Sequence, residues 1–328
     1  FAVCGWLGEK VGWHFGFGAA GVGMLFGVTQ FILFRHQLGE AGKYPNKINE
    51  QTKRNYIRGV GLVVILIASV VITGMAGFWS IDPVYFAERF RDFLVVISII
   101  YFIYLLFFAG LTANEKKNVL MLLLLFIGAA AFWSGFDQSA GSLTIFTRDY
   151  VNLTFGTFTA PVSWTQFVNP LFVVMFAPFF AYLWVFLGKR NLDPNMPIKF
   201  GLGLILMALG FIVMILAVKY ALASSPVGVQ WLLLTYLLHT FGELTLSPVG
   251  LSAFSKYSPK RYLGQMMGIW FLASSLGGVL AGLLGGEATE SGLESMSPVF
   301  TELVYYCLAI AAVLIVLSFF IKGAKTDN

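Results

Sequence analysis

The sequence predicts an all-α protein, a polytopic bundle of membrane-spanning helices. Three observations support this fold class: the composition, a series of long apolar stretches, and the placement of basic residues between them. Of the 328 residues, 58% are hydrophobic and only 11% are charged, whereas a soluble domain carries about 25% charged residues. A chain this poor in charge is typical of a protein that exposes its helices to lipid.

Nine apolar stretches are long enough to span a bilayer, which takes about 20 predominantly apolar residues in a helix. They are residues 15–34, 59–79, 93–112, 119–147, 165–188, 200–218, 227–255, 262–286 and 303–321. The second and third carry no charge, so we expect them to face lipid and to take no part in substrate binding. Residues 1–8 look like the end of a further apolar segment. Because the sequence opens on Phe1, we expect its N-terminus to be missing.

Basic residues concentrate in alternate loops, and this pattern predicts the orientation of the chain. Loops on one side hold 16 of the 21 Lys and Arg residues, namely Arg35, Lys43, Lys47, Lys53, Arg54, Arg58, Lys116, Lys117, Lys189, Arg190, Lys199, Lys256, Lys260, Arg261, Lys322 and Lys325. The positive-inside rule assigns these loops to the cytoplasm and the acidic segment 287–298 to the outside. The C-terminus is therefore predicted to be cytoplasmic.

The sequence lacks the motifs of several other function classes. It contains no G-x-x-x-x-G-K-[ST] phosphate loop, so nothing in it indicates ATP as the energy source. Cys4 and Cys307 lie at opposite ends of the chain and the three histidines are scattered, so neither a disulfide framework nor a metal site is expected. The net charge of +5 falls in short clusters between apolar stretches, which argues against nucleic-acid binding. Because we find no nucleophile–base pair in the sequence, a membrane enzyme is the least expected class.

Glu243 is the only formally charged residue between Val227 and Ser255, in the sequence HTFGELTLSP. A charge at the bilayer centre costs about 3 kcal/mol on insertion scales, and ionisable residues inside a membrane are functional by default. His239 and Ser247 lie one helical turn on either side of Glu243 and share its face. The carboxylate either faces an aqueous cavity, where it binds a cation or a proton, or it is protonated and hydrogen-bonded to a neighbouring helix.

Other residues are candidates with open alternatives. Asp137, followed by Gln138 in FWSGFDQSAG, is either a second functional carboxylate or a helix-end group at the external interface. Asn169 can donate and accept hydrogen bonds inside a cavity, or it can join two helices. From the pattern alone, Trp270 is expected to pack in the core or face lipid, and His239 to pack rather than to relay protons. These observations predict a secondary transporter and leave its substrate open.

Five segments carry a resemblance to a known family. They are LGEKVGWHFGFGAAGVGM (7–24), FWSGFDQSAGSL (132–143), WTQFVNPLFVVMFAPFFAYLW (164–184), HTFGELTLSPVGLSAFSKYSP (239–259) and QMMGIWFLASSLGG (265–278). Together they closely resemble the proton-dependent oligopeptide transporter family of the major facilitator superfamily. The resemblance covers nearly the whole chain.

The resemblance implies a fold with three parts. Residues 1–34 resemble the end of the N-terminal helical bundle, that is, the fifth and sixth helices. Residues 35–118 resemble a cytoplasmic linker with the two extra helices found in many bacterial members, and 119–328 the complete C-terminal six-helix bundle. The family's E-x-x-E-R-[FY] motif, which belongs to the first helix, is not in this sequence. The resemblance thus implies that N-terminal helices needed for a full site are absent.

The same resemblance implies roles for residues of the predicted substrate site. Glu243 matches the acid that receives the amino terminus of the peptide, and Asn169 matches a polar contact to the peptide backbone. Trp270 matches part of the pocket wall near Glu243. We group Ser247 with these residues because it shares the helix face of Glu243. Asp137 occupies the acid position of an F-[ED]-Q motif that includes Gln138, so these two residues are expected to act in proton coupling or gating.

The resemblance implies proton-coupled symport of di- and tripeptides across the cytoplasmic membrane by alternating access. The expected partners are small peptides, protons and the bilayer, with the proton gradient as driving force and no cofactor. Two alternatives remain open. The chain could belong to a member that carries another small solute such as nitrate, or it could be a non-transporting fragment or a half that depends on a partner.

Overall fold

The computed structural model describes residues 2–39, 49–77, 80, 82–290 and 292–320. Its α-helices are α1 (Ala2–Lys10), α2 (Trp13–Phe34), α3 (Glu50–Met75), α4 (Pro83–Ile103), α5 (Ala113–Phe136), α6 (Ser142–Tyr150), α7 (Ser163–Lys189), α8 (Met196–Ala223), α9 (Gln230–Tyr257), α10 (Leu263–Glu290) and α11 (Leu293–Phe320). Short 3₁₀ turns lie at Arg35–Leu38, Asp137–Ser139 and Lys260–Tyr262, and a π-helical turn, Tyr104–Phe108, extends α4. Lys43, Lys47, Lys322 and Lys325 lie outside the described residues.

The predicted all-α membrane bundle is confirmed. Within the described ranges, eight helical segments are long and apolar enough to cross a membrane. The helix that carries Glu243, α9, is not among the eight, because His239, Glu243 and several hydroxyl side chains lower its hydropathy. Each predicted stretch nevertheless overlaps at least one helix within the described residues. The division into 1–34, 35–118 and 119–328 stays a prediction.

The stretch 119–147 is not one continuous helix, contrary to the prediction. α5 ends at Phe136, a 3₁₀ turn follows at Asp137–Ser139, and α6 begins at Ser142. The Asp137 N–H bonds back to carbonyls of α5, which closes the helix end. Apolar residues continue on both sides of this break, so a count of hydrophobic residues does not reveal it.

Four two-residue strands lie in the described loops that connect α6 to α7 and α8 to α9. β2 (Thr154–Phe155) and β3 (Phe158–Thr159) form an antiparallel hairpin. β1 (Val151–Asn152) and β4 (Val227–Gly228) pair in parallel, so the two loops are joined by backbone hydrogen bonds. These strands are too short to change the fold class.

The core of the described bundle lies where α8 packs against α9 and α11, and where α10 packs against α5. Close approach of α8 and α9 requires glycine at Gly203 and Gly242. A Cβ added at Gly242 would lie 2.8 Å from the carbonyl oxygen of Gly203, which no ordinary Cβ contact allows. Because small residues let helix backbones approach this closely, α9 is held firmly against α8.

The two extra helices differ in how much of their surface packs. α3 has no buried residue, as expected of a helix that faces lipid. α4 instead buries Leu94, Ser98 and Phe102, and its Phe102 ring packs edge-on against Phe126 of α5 at 5.7 Å between centroids. The expectation that this helix faces only lipid is therefore wrong for α4, which packs one face against α5.

Candidate functional site

Glu243 lies near the middle of α9, on a face directed toward α7. The preceding Gly242 faces α8, so α9 is oriented by its contact with α8. The Glu243 side chain is only partly buried, in contrast to its fully packed neighbours Leu244 and Thr245. The helix thus presents one carboxylate at the edge of the core.

Asn169 of α7 connects directly to Glu243. Its amide Nδ2 donates to Glu243 Oε2 at 3.0 Å and to Thr240 Oγ1 at 3.0 Å. The Thr240 hydroxyl in turn donates to the carbonyl of Tyr236 at 2.6 Å. The amide nitrogen has two hydrogens, so one can serve each acceptor. This network fixes the position of the Asn169 amide and directs it at the carboxylate.

The Glu243 carboxylate makes no ion pair with any residue that the structure describes. Transfer of an ionised carboxylate out of water is costly unless it is paired with an opposite charge. A single neutral amide leaves most of its acceptor capacity unused. The site can therefore accept either a proton or a cationic group such as an ammonium.

Ser247 and Trp270 lie farther along the bundle than Glu243. Ser247 is half-buried one turn after Glu243, and its hydroxyl makes no side-chain hydrogen bond within the described ranges. The Trp270 ring is buried between Phe254 and Phe200, at centroid distances of 5.4 and 6.5 Å, and it covers Gly250. Gly250 is seven residues, or about 10 Å of helix rise, beyond Glu243. The structure thus joins Asn169 to Glu243 but places the Trp270 ring in the core two turns away.

His239 is buried between α8 and α9. Its ring lies 4.9 Å from that of Phe211, and its exposed fraction is 1%. The Nε2 atom has no hydrogen-bond partner within the part of the chain that the structure describes. This location agrees with the expected packing role.

Asp137 lies at the C-terminal end of α5, in the 3₁₀ turn. Its carboxylate is half-buried and forms no hydrogen bond or ion pair with the residues described. A Cβ added at Gly278 of α10 would lie 3.3 Å from Asp137 Oδ2, so the two helices meet closely at this point. Like Glu243, Asp137 is a carboxylate at the edge of the core without a cation among its described neighbours.

Gln138 is fully buried, and its side chain links three helices. Its Nε2 donates to the carbonyl of Ala281 in α10 at 3.0 Å. Its Oε1 accepts a hydrogen bond from Ser142 of α6 at 2.7 Å. Both ends of the amide are therefore used to hold the turn between α5 and α6 against α10, directly beside Asp137.

A second contact, not predicted from the sequence, joins α1 to α7. The two carboxylate oxygens of Glu9 accept hydrogen bonds from the backbone N–H groups of Val162 and Ser163, at 2.9 and 2.8 Å. The Trp164 indole N–H also donates to the carbonyl of Ala2 at 3.1 Å. Glu9 thus acts as a cap for α7 from another helix. The one sequence signal for this capping role of Glu9 is its position in the LGEKVGWHFG segment, next to the end of α1.

The family of the chain is decided by comparison with known proteins. A family model described as the POT family, designated PTR2, matches residues 1–293. This chain belongs to the POT family. The resemblance found in the five sequence segments is thereby confirmed.

Curated relatives within the POT family are transporters. The peptide transporter YePEPT of Yersinia enterocolitica is 37% identical over 326 residues, which cover 96% of this chain and 63% of that protein. The di-/tripeptide transporter of Lactococcus lactis subsp. cremoris is 33% identical over 283 residues, which cover 83% of this chain and 56% of that protein. The chain therefore spans roughly three-fifths of the length of these relatives. These relatives are transporters and not enzymes, as the sequence predicted for this chain.

Solved POT structures share the fold. The peptide transporter POT in complex with sulfate superposes with a TM-score of 0.84 at 33% identity, over 99% of this chain and 65% of the other. A POT family transporter in complex with 5-aminolevulinic acid gives a TM-score of 0.81 at 29% identity, over 95% and 64%. The major facilitator type of fold predicted from the resemblance is thus confirmed, and the chain is a multi-pass membrane protein.

Proposed function

We propose that this protein is a proton-coupled symporter of di- and tripeptides, in which Glu243 binds the amino terminus of the substrate. The observation that carries the proposal is the Glu243 carboxylate itself. It is partly buried, it is held by Asn169, and no described residue supplies it with a cation. A peptide brings that missing positive charge on its terminal ammonium.

The chemistry of the substrates favours an amine over an anion. An ammonium that meets a carboxylate in a low-dielectric cavity forms a charge-assisted hydrogen bond, which is about twice as strong as a neutral one. Relatives named as peptide or di-/tripeptide transporters support this assignment. One related structure holds 5-aminolevulinic acid, a compound with a primary amine. An inorganic anion such as nitrate would instead be repelled by Glu243.

Asn169 would assist the substrate through its amide, which already contacts Glu243. An amide can donate to a carbonyl and accept from an N–H group, and every peptide offers both. If the protein binds the amino terminus and the backbone of the peptide, it does not need to contact the peptide side chains, and this gives broad specificity. We place Ser247 beside them as a further polar contact. Trp270 would act from the core, by fixing the part of α9 that follows Glu243.

Asp137 is the second carboxylate, and we assign it to proton coupling. It lies in the 3₁₀ turn that follows α5, on a different element from Glu243, and has no described cation beside it. A proton or a basic residue of an opposing bundle could neutralise it, and the exchange between these two states would couple protonation to alternating access. Gln138 has no titratable group, so its role in gating would be to hold the Asp137 turn against α10.

The proposed location is the cytoplasmic membrane, with the C-terminus on the cytoplasmic side. The concentration of basic residues in alternate loops supports this orientation. Alternating access would then expose Glu243 first to one side of the membrane and then to the other.

Uptake by proteoliposomes that contain the protein tests the proposal. Glu243→Gln should weaken dipeptide binding by about ten- to a hundredfold, because a hydrogen bond to a charged group is worth roughly 1.5–3 kcal/mol. Glu290→Gln, a matched change on the exposed end of α10, should leave uptake unaltered. Asp137→Asn should abolish uptake driven by a proton gradient while exchange of labelled for unlabelled dipeptide continues.

Three results would contradict the proposal. Normal dipeptide uptake by the Glu243→Gln variant would remove the assigned role. Competition by nitrate but not by dipeptides would show a different substrate class. Absence of uptake by the unaltered protein, even when it is incorporated in a folded state, would favour a non-transporting chain or one that depends on a partner.

A further inference from the structure

A groove separates α4 from the helices it packs against. It encloses a cavity of about 630 Å³ between α4, α5, α10 and α11. Most of its wall is apolar, with side chains that include Val95, Ile99, Phe102, Leu280, Leu284 and Ile310. On α10 the lining residues lie on the face opposite Gly278, the residue that approaches Asp137, and the proposed function does not use this groove.

One end of the groove is charged. Arg91, Glu287 and Glu302 all line the same cavity, and each lies in the half of α4, α10 or α11 that is nearer the predicted external side. On α4, Arg91 lines the groove near the predicted external side, and mostly apolar residues line it toward the cytoplasmic side. On α10, which runs in the opposite direction, apolar residues come first along the chain and Glu287 follows near the external side. The groove therefore has one polar end and one apolar end.

The charges at the polar end are unbalanced. Arg91 donates through Nε and Nη2 to Asp92, at 3.0 and 2.9 Å, so its charge is largely neutralised. Glu287 and Glu302 are exposed, and neither forms an ion pair with a residue in the described ranges. The guanidinium has five N–H donors, so Arg91 keeps donors for a second acceptor. The polar end thus offers two carboxylates to a cation and one guanidinium edge to an anion.

The length of the groove matches one leaflet of a bilayer. On α10 it extends from Glu287 to Leu276, eleven residues or about 16 Å of helix rise. The hydrocarbon core of a bilayer is about 30 Å thick, so the groove covers about half of it. An acyl chain that lies in the apolar part would place its headgroup at Glu287 and Glu302.

We propose that this groove binds a phospholipid with a primary-amine headgroup, of the phosphatidylethanolamine class. The headgroup ammonium donates to the carboxylates of Glu287 and Glu302, its phosphate accepts from Arg91, and an acyl chain fills the wall between α4 and α10. Such a lipid joins the extra helix α4 to the C-terminal bundle. A choline headgroup has no N–H to donate, and an anionic headgroup meets two uncompensated carboxylates, so both should bind more weakly.

Native mass spectrometry of the purified chain in detergent tests this proposal. Equal amounts of phosphatidylethanolamine, phosphatidylcholine and phosphatidylglycerol with identical acyl chains would be added separately. Phosphatidylethanolamine should bind about tenfold more tightly than the other two, because it alone forms hydrogen bonds to both carboxylates without repulsion. The doubly substituted variant Glu287→Gln/Glu302→Gln should lose that preference.

A matched variant separates a specific site from a general effect of charge. Glu290→Gln/Glu294→Gln removes two neighbouring carboxylates from the same side of the protein that do not line the groove. It should retain the preference for phosphatidylethanolamine. A substitution inside the groove, Leu280→Trp, should reduce binding of all three lipids.

Several outcomes would overturn the proposal. They are equal binding of the three lipids by the unaltered chain, an unchanged preference in the Glu287→Gln/Glu302→Gln variant, and an equal loss in the matched variant. If the first variant does not fold, the headgroup preference of the unaltered chain still decides the question. A dimer that excludes lipid would show instead that a second copy covers the groove.

Discussion

The contact between Asn169 and Glu243 can be measured directly by a double-mutant cycle. Asn169→Leu and Glu243→Met each keep the approximate size of the side chain and remove its hydrogen-bonding group. In the first variant the carboxylate loses the one donor that the described structure gives it, at 3.0 Å. In the second, the Asn169 amide still has Thr240 as an acceptor, also at 3.0 Å. The two single substitutions should therefore lower stability by unequal amounts. Each removes the same Asn169–Glu243 hydrogen bond, so the double variant should be more stable than the sum of the two single losses predicts.

The size of this non-additivity follows from the chemistry of the pair. A hydrogen bond to a charged group contributes about 1.5–3 kcal/mol and a neutral one about 0.5–1.5 kcal/mol. We therefore expect a coupling free energy of about 1–3 kcal/mol, with the larger value if Glu243 is ionised. Reversible unfolding in mixed detergent micelles, followed by circular dichroism, gives the four free energies of unfolding.

A matched cycle supplies the control. Asn169→Leu combined with Ser247→Ala pairs the same helix α7 with a residue one turn beyond Glu243, and the two side chains share no hydrogen bond. Those effects should add to within about 0.5 kcal/mol. If the Asn169–Glu243 cycle is equally additive, the two side chains do not interact, and the proposed site loses its structural basis.

Three further predictions concern contacts that shape the site. Glu9→Ala removes the cap on α7 and should speed amide hydrogen exchange at Ser163 about fivefold, because a helix cap contributes about 1 kcal/mol. Unchanged exchange at Ser163 would show that the cap is not formed. Gln138→Met should lower the unfolding free energy by about 2 kcal/mol, because the buried Ser142 hydroxyl loses its acceptor. Gly242→Ala should cost about 1–3 kcal/mol through overpacking against α8, and a neutral effect in thermal unfolding would mean that the helices are farther apart.

The existence of the helices could be predicted from the sequence because lipid imposes a strict rule. Every backbone polar group in a membrane must find a partner within the segment, so long apolar stretches become helices. The boundaries do not follow from the same rule. α4 begins at Pro83, ten residues before the predicted stretch, because the Asp82 side chain accepts from Val84 and Tyr85. An Asp–Pro pair is a known helix-start signal, but a count of apolar residues ignores it.

The contacts of the candidate site could be predicted only in part. Glu243 stood out because a single charge in an apolar stretch is costly. Its partner Asn169 is 74 residues away in sequence, on a different helix. Which side chain faces it depends on how α7 and α9 are rotated against each other. The position of the Trp270 ring could not be predicted for the same reason, because the packing of α10 directs it toward Phe254 and Phe200.

The site joins one firmly packed helix to one loosely packed helix. α9 is held against α8 by the backbone contact at Gly242. α7 buries only Thr165 and Phe180 among its residues, and it contains two internal prolines, each of which removes a backbone hydrogen bond.

The N-terminal end of α7 is joined to α1 through Glu9. If α7 moves with α1 while α8 holds α9, we expect the Asn169–Glu243 hydrogen bond, which is 3.0 Å long, to stretch. A displacement of only about 1 Å would break it by the usual distance limits. A shift between α7 and α9 would thus change the number of hydrogen bonds at Glu243, and the proposed coupling of conformation to substrate binding requires such a link.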